Sequence, residues 1–261
     1  MLSSKEIKHL QEFLLNSWPA EHYFFLNGWI ARFDKGVTYR ANSVFPISYT
    51  ADQHQIVGDI EIIENAYKQY GLPSIFTMHD SFEPKDLDEI LKERGYTEHD
   101  PTNALISSFN EIKINKDNTD FEYVISNERT TMFSNLLAEH TQRDQSQQRV
   151  IDEIVKRINI PKKCFIVAKK QNDIIGTVMG VLNSYGYIYV ADLFVLPNYR
   201  RIGVASSLMS KLINDWAIPN RFNYIWLQVE KENNQAIKFY EQMGMKKAYS
   251  YYYLKKEILI S

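Results

Sequence analysis

Val195-Leu196-Pro197-Asn198-Tyr199-Arg200-Arg201-Ile202-Gly203-Val204-Ala205-Ser206 joins an apolar strand to a helix through a glycine-containing turn. A helix that starts at such a turn leaves its first backbone N–H groups without intrahelical partners, and the positive end of its dipole lies behind them. Gly203 has no Cβ to keep a phosphate away, Ala205 is small, and Arg200 and Arg201 add charge beside the turn. The segment therefore reads as an anion cradle. Taken alone, it reads equally well as a plain turn with solvated arginines.

On the N-terminal side of this turn, alternating apolar patterns predict strands at 121–126, 164–170, 174–182 and 187–196, with helices at 128–139 and 145–158 between the first two. Beyond the cradle the pattern gives a helix at 203–216, a strand at 224–229, a helix at 234–243 and a strand at 249–255. The order is βααβββαβαβ. The first half opens with a capping box, Ser3 and Glu6, ahead of an amphipathic helix that ends before Pro19. A hairpin follows, with Trp29–Phe33 paired to 37–47 across Asp34-Lys35-Gly36. A helix at 59–70, a strand at 74–78, a helix at 85–93 stopped by Gly95 and a strand at 104–109 complete it. The polar stretch 110–120 is the expected linker, which gives domains at 1–116 and 119–261.

Two motifs in the second half resemble those of the GNAT superfamily of acetyl-CoA-dependent N-acetyltransferases. The family's pyrophosphate loop is Arg or Gln, two residues, Gly, one residue, then Gly or Ala, and Arg200, Gly203 and Ala205 fit it. Its second signature appears as Asn233, Ala236, Phe239-Tyr240 and Gly244-Met245, where only the final Phe departs. The resemblance implies an α/β (α+β) fold of tandem GNAT-like domains, each a mixed, mostly antiparallel sheet flanked by helices, with the C-terminal one intact. It implies a sheet that splays open near Val195, so that backbone groups of Leu193, Phe194 and Val195 pair with the pantetheine arm of acetyl-CoA. The pyrophosphate would rest on the stretch Arg200, Arg201, Ile202, Gly203, Val204, Ala205 and Ser206, with Asn233 and Ala236 beside the arm. On the same resemblance, Tyr240 serves as general acid for the departing thiolate and also lines the cofactor site.

Members of the family transfer the acetyl group directly, without an acyl-enzyme. Direct attack needs a neutral amine, and an alkyl amine of pKa about 10.4 resists losing its proton at pH ~7 by roughly 4–5 kcal/mol. A base or water relay is therefore expected, and Asp192 and Glu230 are its candidates. Cys164 sits in the apolar run CFIVAKK and reads as a buried, inert thiol.

The first half can be laid beside the second. The stretch from Asn42 to Tyr96 repeats the strand, helix, strand, helix order of the stretch from Ala191 to Met245, yet its loop, SYTADQHQIVGD, carries no Arg-x-x-Gly-x-Gly/Ala pattern. It reads as a worn copy that binds no acetyl-CoA.

Composition removes other classes. All six histidines precede residue 141 and Cys164 is the single cysteine, so no zinc-ligand set or Cys-His dyad can be confined to the second half, and no metal is expected. A net charge of −2 provides no basic excess for nucleic acid. No apolar run is long enough to cross a bilayer and the first residues lack a signal peptide's apolar block, so a cytoplasmic protein without a membrane partner is expected. Three functions stay open at this point: acetylation of a small-molecule primary amine, acetylation of a protein lysine or N-terminus, and non-catalytic sensing of acetyl-CoA. The expected assembly is a monomer or homodimer.

Overall fold

The computed structural model describes residues 2–114, 120–141 and 143–257. Residues 115–119 of the expected linker, including the expected domain start at 119, lie outside these. The elements are α1 (Ser4–Ser17), β1 (His22–Leu26), β2 (Trp29–Phe33), β3 (Phe45–Pro46), α2 (Ile56–Gln69), β4 (Ser74–His79), α3 (Leu87–Glu93), β5 (Thr97–Ser108), β6 (Glu122–Ser126), α4 (Thr131–His140) and α5 (Gln145–Lys156). They continue as β7 (Lys162–Lys170), β8 (Asp173–Leu182), β9 (Tyr187–Val195), α6 (Val204–Lys211), β10 (Tyr224–Glu230), α7 (Asn234–Gln242) and β11 (Lys246–Lys256). The fold is mixed α/β with mostly antiparallel strands, as expected.

The chain forms two compact units: Met1–Ala104 with Glu230–Glu232 and Lys247–Ser261, and Leu105–Val229 with Asn233–Lys246. In the first, β1, β2 and β3 form a three-stranded antiparallel sheet, and β4 pairs antiparallel with β11 from Ser74↔Lys256 to His79↔Tyr251. Its core gathers Trp29, Phe33, Ile60, Tyr67, Phe76 and Leu91. The capping box at α1 is present, with Glu6 N–H donating to Ser3 Oγ and Ser3 N–H to the Glu6 carboxylate at 2.8 Å.

The hairpin differs from the expected one. Strand β2 pairs with His22–Leu26, ahead of it in sequence, through Asn27-Gly28, both in the left-handed region with φ of 47° and 89°. Residues 37–47 hold a 3-10 turn, Tyr39–Ala41, and the short β3 instead of a long strand. Buried Asn42 is the reason. Its Oδ1 accepts from the Asp34 and Gly36 amides, and its Nδ2 donates to the Asp34 and Thr38 carbonyls, which folds the loop back on itself.

In the second unit the strand order is β10-β9-β8-β7-β6, with β9 and β10 parallel and the other neighbours antiparallel. Helix α6 lies close over β8. A Cβ on Gly176 would stand 3.0 Å from Leu208 Cδ1, and one on Gly180 would stand 2.8 Å from Leu212 Cδ1 and 3.0 Å from Trp216 Cζ3. Only glycine admits this approach. The helix expected over 203–216 is α-helical to Lys211 and then widens into a π-helical turn, Leu212–Ala217, over Gly180. The core under it includes Ile166, Ile175, Val178, Leu208, Leu212 and Ile225. Burial at this density fixes the height of the α6 N-terminus above the strand ends, where the site lies.

Candidate active site

Strand β9 positions the site through two irregularities. Against β8 its register runs from Ile188↔Leu182 to Ala191↔Met179 and resumes at Phe194↔Thr177, so Asp192 and Leu193 stand opposite Val178 alone. This is a β-bulge. Asp192 takes a φ of 52°, unusual for a residue with a Cβ, and its carbonyl accepts from Thr177 Oγ1 at 3.0 Å. On the other edge, β10 pairs with β9 only from Tyr187↔Tyr224 to Val190↔Leu227. The rest of β9 therefore runs without β10 as a partner, and its backbone groups are left for something else.

What lies there is a cleft of about 580 Å³, lined by Leu193, Phe194 and Val195 of β9, Tyr199, Arg200 and Arg201 of the connecting turn, Gly203, Val204, Ala205 and Ser206 at the start of α6, and α7 with its cap from Asn233 to Gln242. Gly203 caps α6 with φ 92°, a conformation in which a side chain is strained. The residues that follow it line the cleft at the N-terminus of α6, the positive end of the helix. Arg200 Nε donates to the Val195 carbonyl at 3.1 Å, which ties the turn back to the end of β9. Tyr199 donates to Asp173 at 2.7 Å, and that acceptor holds its hydroxyl proton on, raising its pKa.

Helix α7 supplies the opposite wall. Asn233 caps it by accepting from the Ala236 amide at 3.1 Å, so its Oδ1 is occupied and its Nδ2 is the donor left for the cleft. Tyr240, 8% exposed, lines the cleft about two turns along from that cap. Its hydroxyl makes no hydrogen bond among the described residues, and burial pushes its pKa well above the ordinary phenolic value. It is therefore protonated throughout the physiological range. Of the residues expected around the cofactor, Ile202 is 46% exposed and does not line the cleft.

The two expected carboxylates are placed differently from Tyr240. Asp192 does not line the cleft, and its carboxylate accepts from Arg129 Nη1 at 2.7 Å. Glu230 is the exposed last residue of β10, and it also does not line the cleft. Along β9, Tyr187 stacks on its cross-strand partner Tyr224 at 4.7 Å and Tyr189 packs on Trp226 at 4.9 Å. Cys164 is buried, and burial pushes its thiol up to about 12, which removes it as a nucleophile at neutral pH.

Arg129 is the site residue that sequence reasoning missed. Its side chain is 4% exposed, and Nε bonds Ser134 Oγ at 3.1 Å and pairs with Asp152 at 3.0 Å while Nη1 holds Asp192. Ser134 and Gln148 also donate to Asp152, at 2.8 and 2.9 Å. This network lines a second cavity, of about 650 Å³, with walls from α4, α5, Lys163 and Phe165. At the far end of α4, His140 stacks on Phe194 of the cleft at 5.6 Å. The Arg129–Asp192 pair at the bulge and the His140–Phe194 stack at the end of α4 thus link walls of the two cavities.

Comparison with known proteins agrees with this architecture. A model described as the acetyltransferase (GNAT) family matches residues 126–245, and one described as the C-terminal part of the probable histone acetyltransferase Rv0428c matches residues 4–156. Residues 126–245 belong to the GNAT acetyltransferase family. As a GNAT protein the chain is an acyltransferase, and GNAT acetyltransferases use acetyl-CoA. It is 26% identical over 251 residues to the uncharacterized N-acetyltransferase YobR of Bacillus subtilis, covering 95% of this chain and 98% of that one. Its fold is similar to a GCN5-related N-acetyltransferase from Kribbella flavida, with TM-score 0.68, 11% identity, and 97% and 96% of the two chains covered. It is also similar to a tandem GNAT protein from the clavulanic acid biosynthesis pathway, with TM-score 0.61, 8% identity, and 82% and 74% covered. At these identities the two structural likenesses are of fold alone. No helix among the described residues is long and apolar enough to cross a membrane.

Proposed function

We propose that this GNAT protein transfers an acetyl group from acetyl-CoA to the primary amine of a small molecule, with residues 119–261 carrying the chemistry and 1–116 a partner domain that binds no acetyl-CoA. The observation that carries the reading is the convergence on one cleft of a glycine-capped helix start, an unpaired strand edge and a protonated tyrosine. The fit to acetyl-CoA rests on these features. The amides of Val204, Ala205 and Ser206 would hold pyrophosphate oxygens, with Arg200 and Arg201 beside them. Backbone groups of Leu193, Phe194 and Val195 would pair with the amides of the pantetheine arm, and Asn233 Nδ2 would add a donor. Bound there, acetyl-CoA supplies an activated acyl group and a thiolate leaving group.

Tyr240 holds its proton on the hydroxyl and can donate it to the departing sulfur. A buried thiol at Cys164 supports direct transfer without an acyl-enzyme. Asp192 is tied to Arg129 and does not line the cleft, so a water relay takes over the role assigned to a base. The 650 Å³ cavity lies within the range of small-molecule sites and supports a compact acceptor. A second reading, acetylation of a protein amine, is favoured by the family description that names a histone acetyltransferase.

The test is thiol release from acetyl-CoA with a panel of amines and peptides, for wild type beside Tyr240→Phe. Turnover of small amines that falls about 10²-fold in the variant, with acetyl-CoA binding retained, is expected. Release with peptides alone would establish the second reading. Binding without release for any acceptor would leave a sensor, and absence of binding would sink the proposal.

A further inference from the structure

The 650 Å³ cavity is more basic than a site for a simple amine needs to be. Five basic side chains line it against two carboxylates, Glu128 and Asp152. Arg129 is already matched by Asp152 and Asp192, whereas neither Arg149 nor Lys156 has a carboxylate partner among the described residues. Arg149 and Lys156 stand seven residues apart on α5, a spacing of about two turns that puts them on one face, and both line the cavity. Bringing like charges together without a counter-anion costs free energy, and the amine alone, a cation before it loses its proton, would make that worse.

The floor of the cavity also has unused polar atoms. Gln148 is 7% exposed, donates to Asp152 through Nε2, and leaves its Oε1 without a hydrogen-bond partner among the described residues. Arg129, 4% exposed, likewise leaves Nη2 without one. One atom is an acceptor and the other a donor. Buried polar groups are ordinarily satisfied, so the pair marks a place where a ligand offering both an N–H and an anionic or carbonyl oxygen would complete the network.

Resting on the transfer reading above, we propose that this cavity is the acceptor subsite, and that the acceptor is a compact amine carrying an anionic group, a carboxylate or a phosphate, held by Arg149 and Lys156. The amine would lie toward the Arg129–Asp192 end, where β9 passes from the bulge into the acetyl-CoA cleft, and the anion toward α5.

The experiment uses matched pairs: amino acids beside their amides, and aminoalkyl phosphates beside the corresponding amino alcohols. Each is followed by thiol release and, separately, by calorimetric titration into the full-length protein in the presence of CoA. The anionic member of each pair is expected to exceed its neutral partner about tenfold in kcat/KM and in affinity, the effect of two partly screened ion pairs. Replacing both Arg149 and Lys156 by Met, at exposed α5 positions where folding tolerates it, should bring that ratio close to one. The two families of pairs tell carboxylate from phosphate. Neutral or cationic amines preferred by wild type, or a ratio unchanged in the double variant, would overturn the subsite. Anionic binding that depends on Arg149 and Lys156 but gives no thiol release would keep the subsite and sink the transfer reading. Turnover of neutral amines with no anionic binding would do the reverse.

Discussion

Helices α2 and α6 occupy the same place in the order of the two units, each after a short extended segment that reaches a proline, yet their N-termini are built in opposite ways. At α6 the cap is Gly203 in the left-handed region, the first-turn residues line a cleft, and no acid sits in the first turn. At α2 a 3-10 turn, Gln53–Gln55, runs straight into the helix, so the Ile56 amide is already taken by the Gln53 carbonyl. The first turn then carries buried Asp59, whose carboxylate accepts from Tyr49 and Asn27 at 2.7 and 2.9 Å. A carboxyl group of the chain itself sits where an anion would otherwise be welcome. The same helix dipole serves a structural carboxylate in one unit and is left for a ligand in the other.

The most damaging way to break the difference is to move the acid across. Gly203→Glu puts a side chain on a positive-φ residue and a negative charge at the cradle, and acetyl-CoA affinity measured by calorimetry should fall by at least about 100-fold, as the loss of two phosphate contacts would give. Retained affinity would mean that the pyrophosphate rests elsewhere. Next in size, Arg129→Met leaves Asp152 and Asp192 without their shared partner and should cost about 2–4 kcal/mol of stability in denaturant titrations, reduced from the fully buried case because both carboxylates reach solvent. Loss of turnover well before loss of fold would tie the bulge to the cleft geometry.

Acid should separate the units too. His79 of β4 is buried in the first unit, and burial lowers its pKa to about 3, below the unfolded value near 6.5. The unfolded chain therefore binds the proton first as pH falls. The contribution is complete above pH ~6.5 and is lost progressively toward pH ~3, by about 1.4 kcal/mol for each pH unit at most. His79→Asn, which keeps an acceptor for the Ser81 amide, should flatten that part of the stability curve; an unchanged slope would assign it to other groups. The smallest effect expected is none: Asp59→Asn should leave acetyl-CoA stoichiometry at one per chain, since the 3-10 turn still occupies α2's start. A second equivalent of binding would show that Asp59 alone had closed the site.

The cradle and the tyrosine were legible in the sequence because each depends on residues within a few positions of one another. Gly203 and Ala205 determine a helix start, and Asn233, Ala236 and Tyr240 share one helix and its cap. The hairpin was half legible. Asn27-Gly28 is a strong turn signal, but Lys35 and Gly36 also adopt positive φ, and what decides between them is Asn42, whose buried side chain curls the second turn into a loop. Arg129 was illegible, because the partner that gives it meaning, Asp192, is 63 residues away. Asp192 reads from the sequence as a candidate base, but its carboxylate is bonded to a guanidinium that no local pattern announces.

Strand β11 carries a consequence for how the protein is made. The first unit needs it beside β4, yet in the chain it follows the whole of the second unit's sheet. Residues up to Ala104 can collapse early, but β4 waits for its strand partner through the synthesis of roughly the next 150 residues. A nascent chain stalled before Lys246 would present β4 to any strand nearby, so slow translation of the second half is when this protein is most open to mispairing.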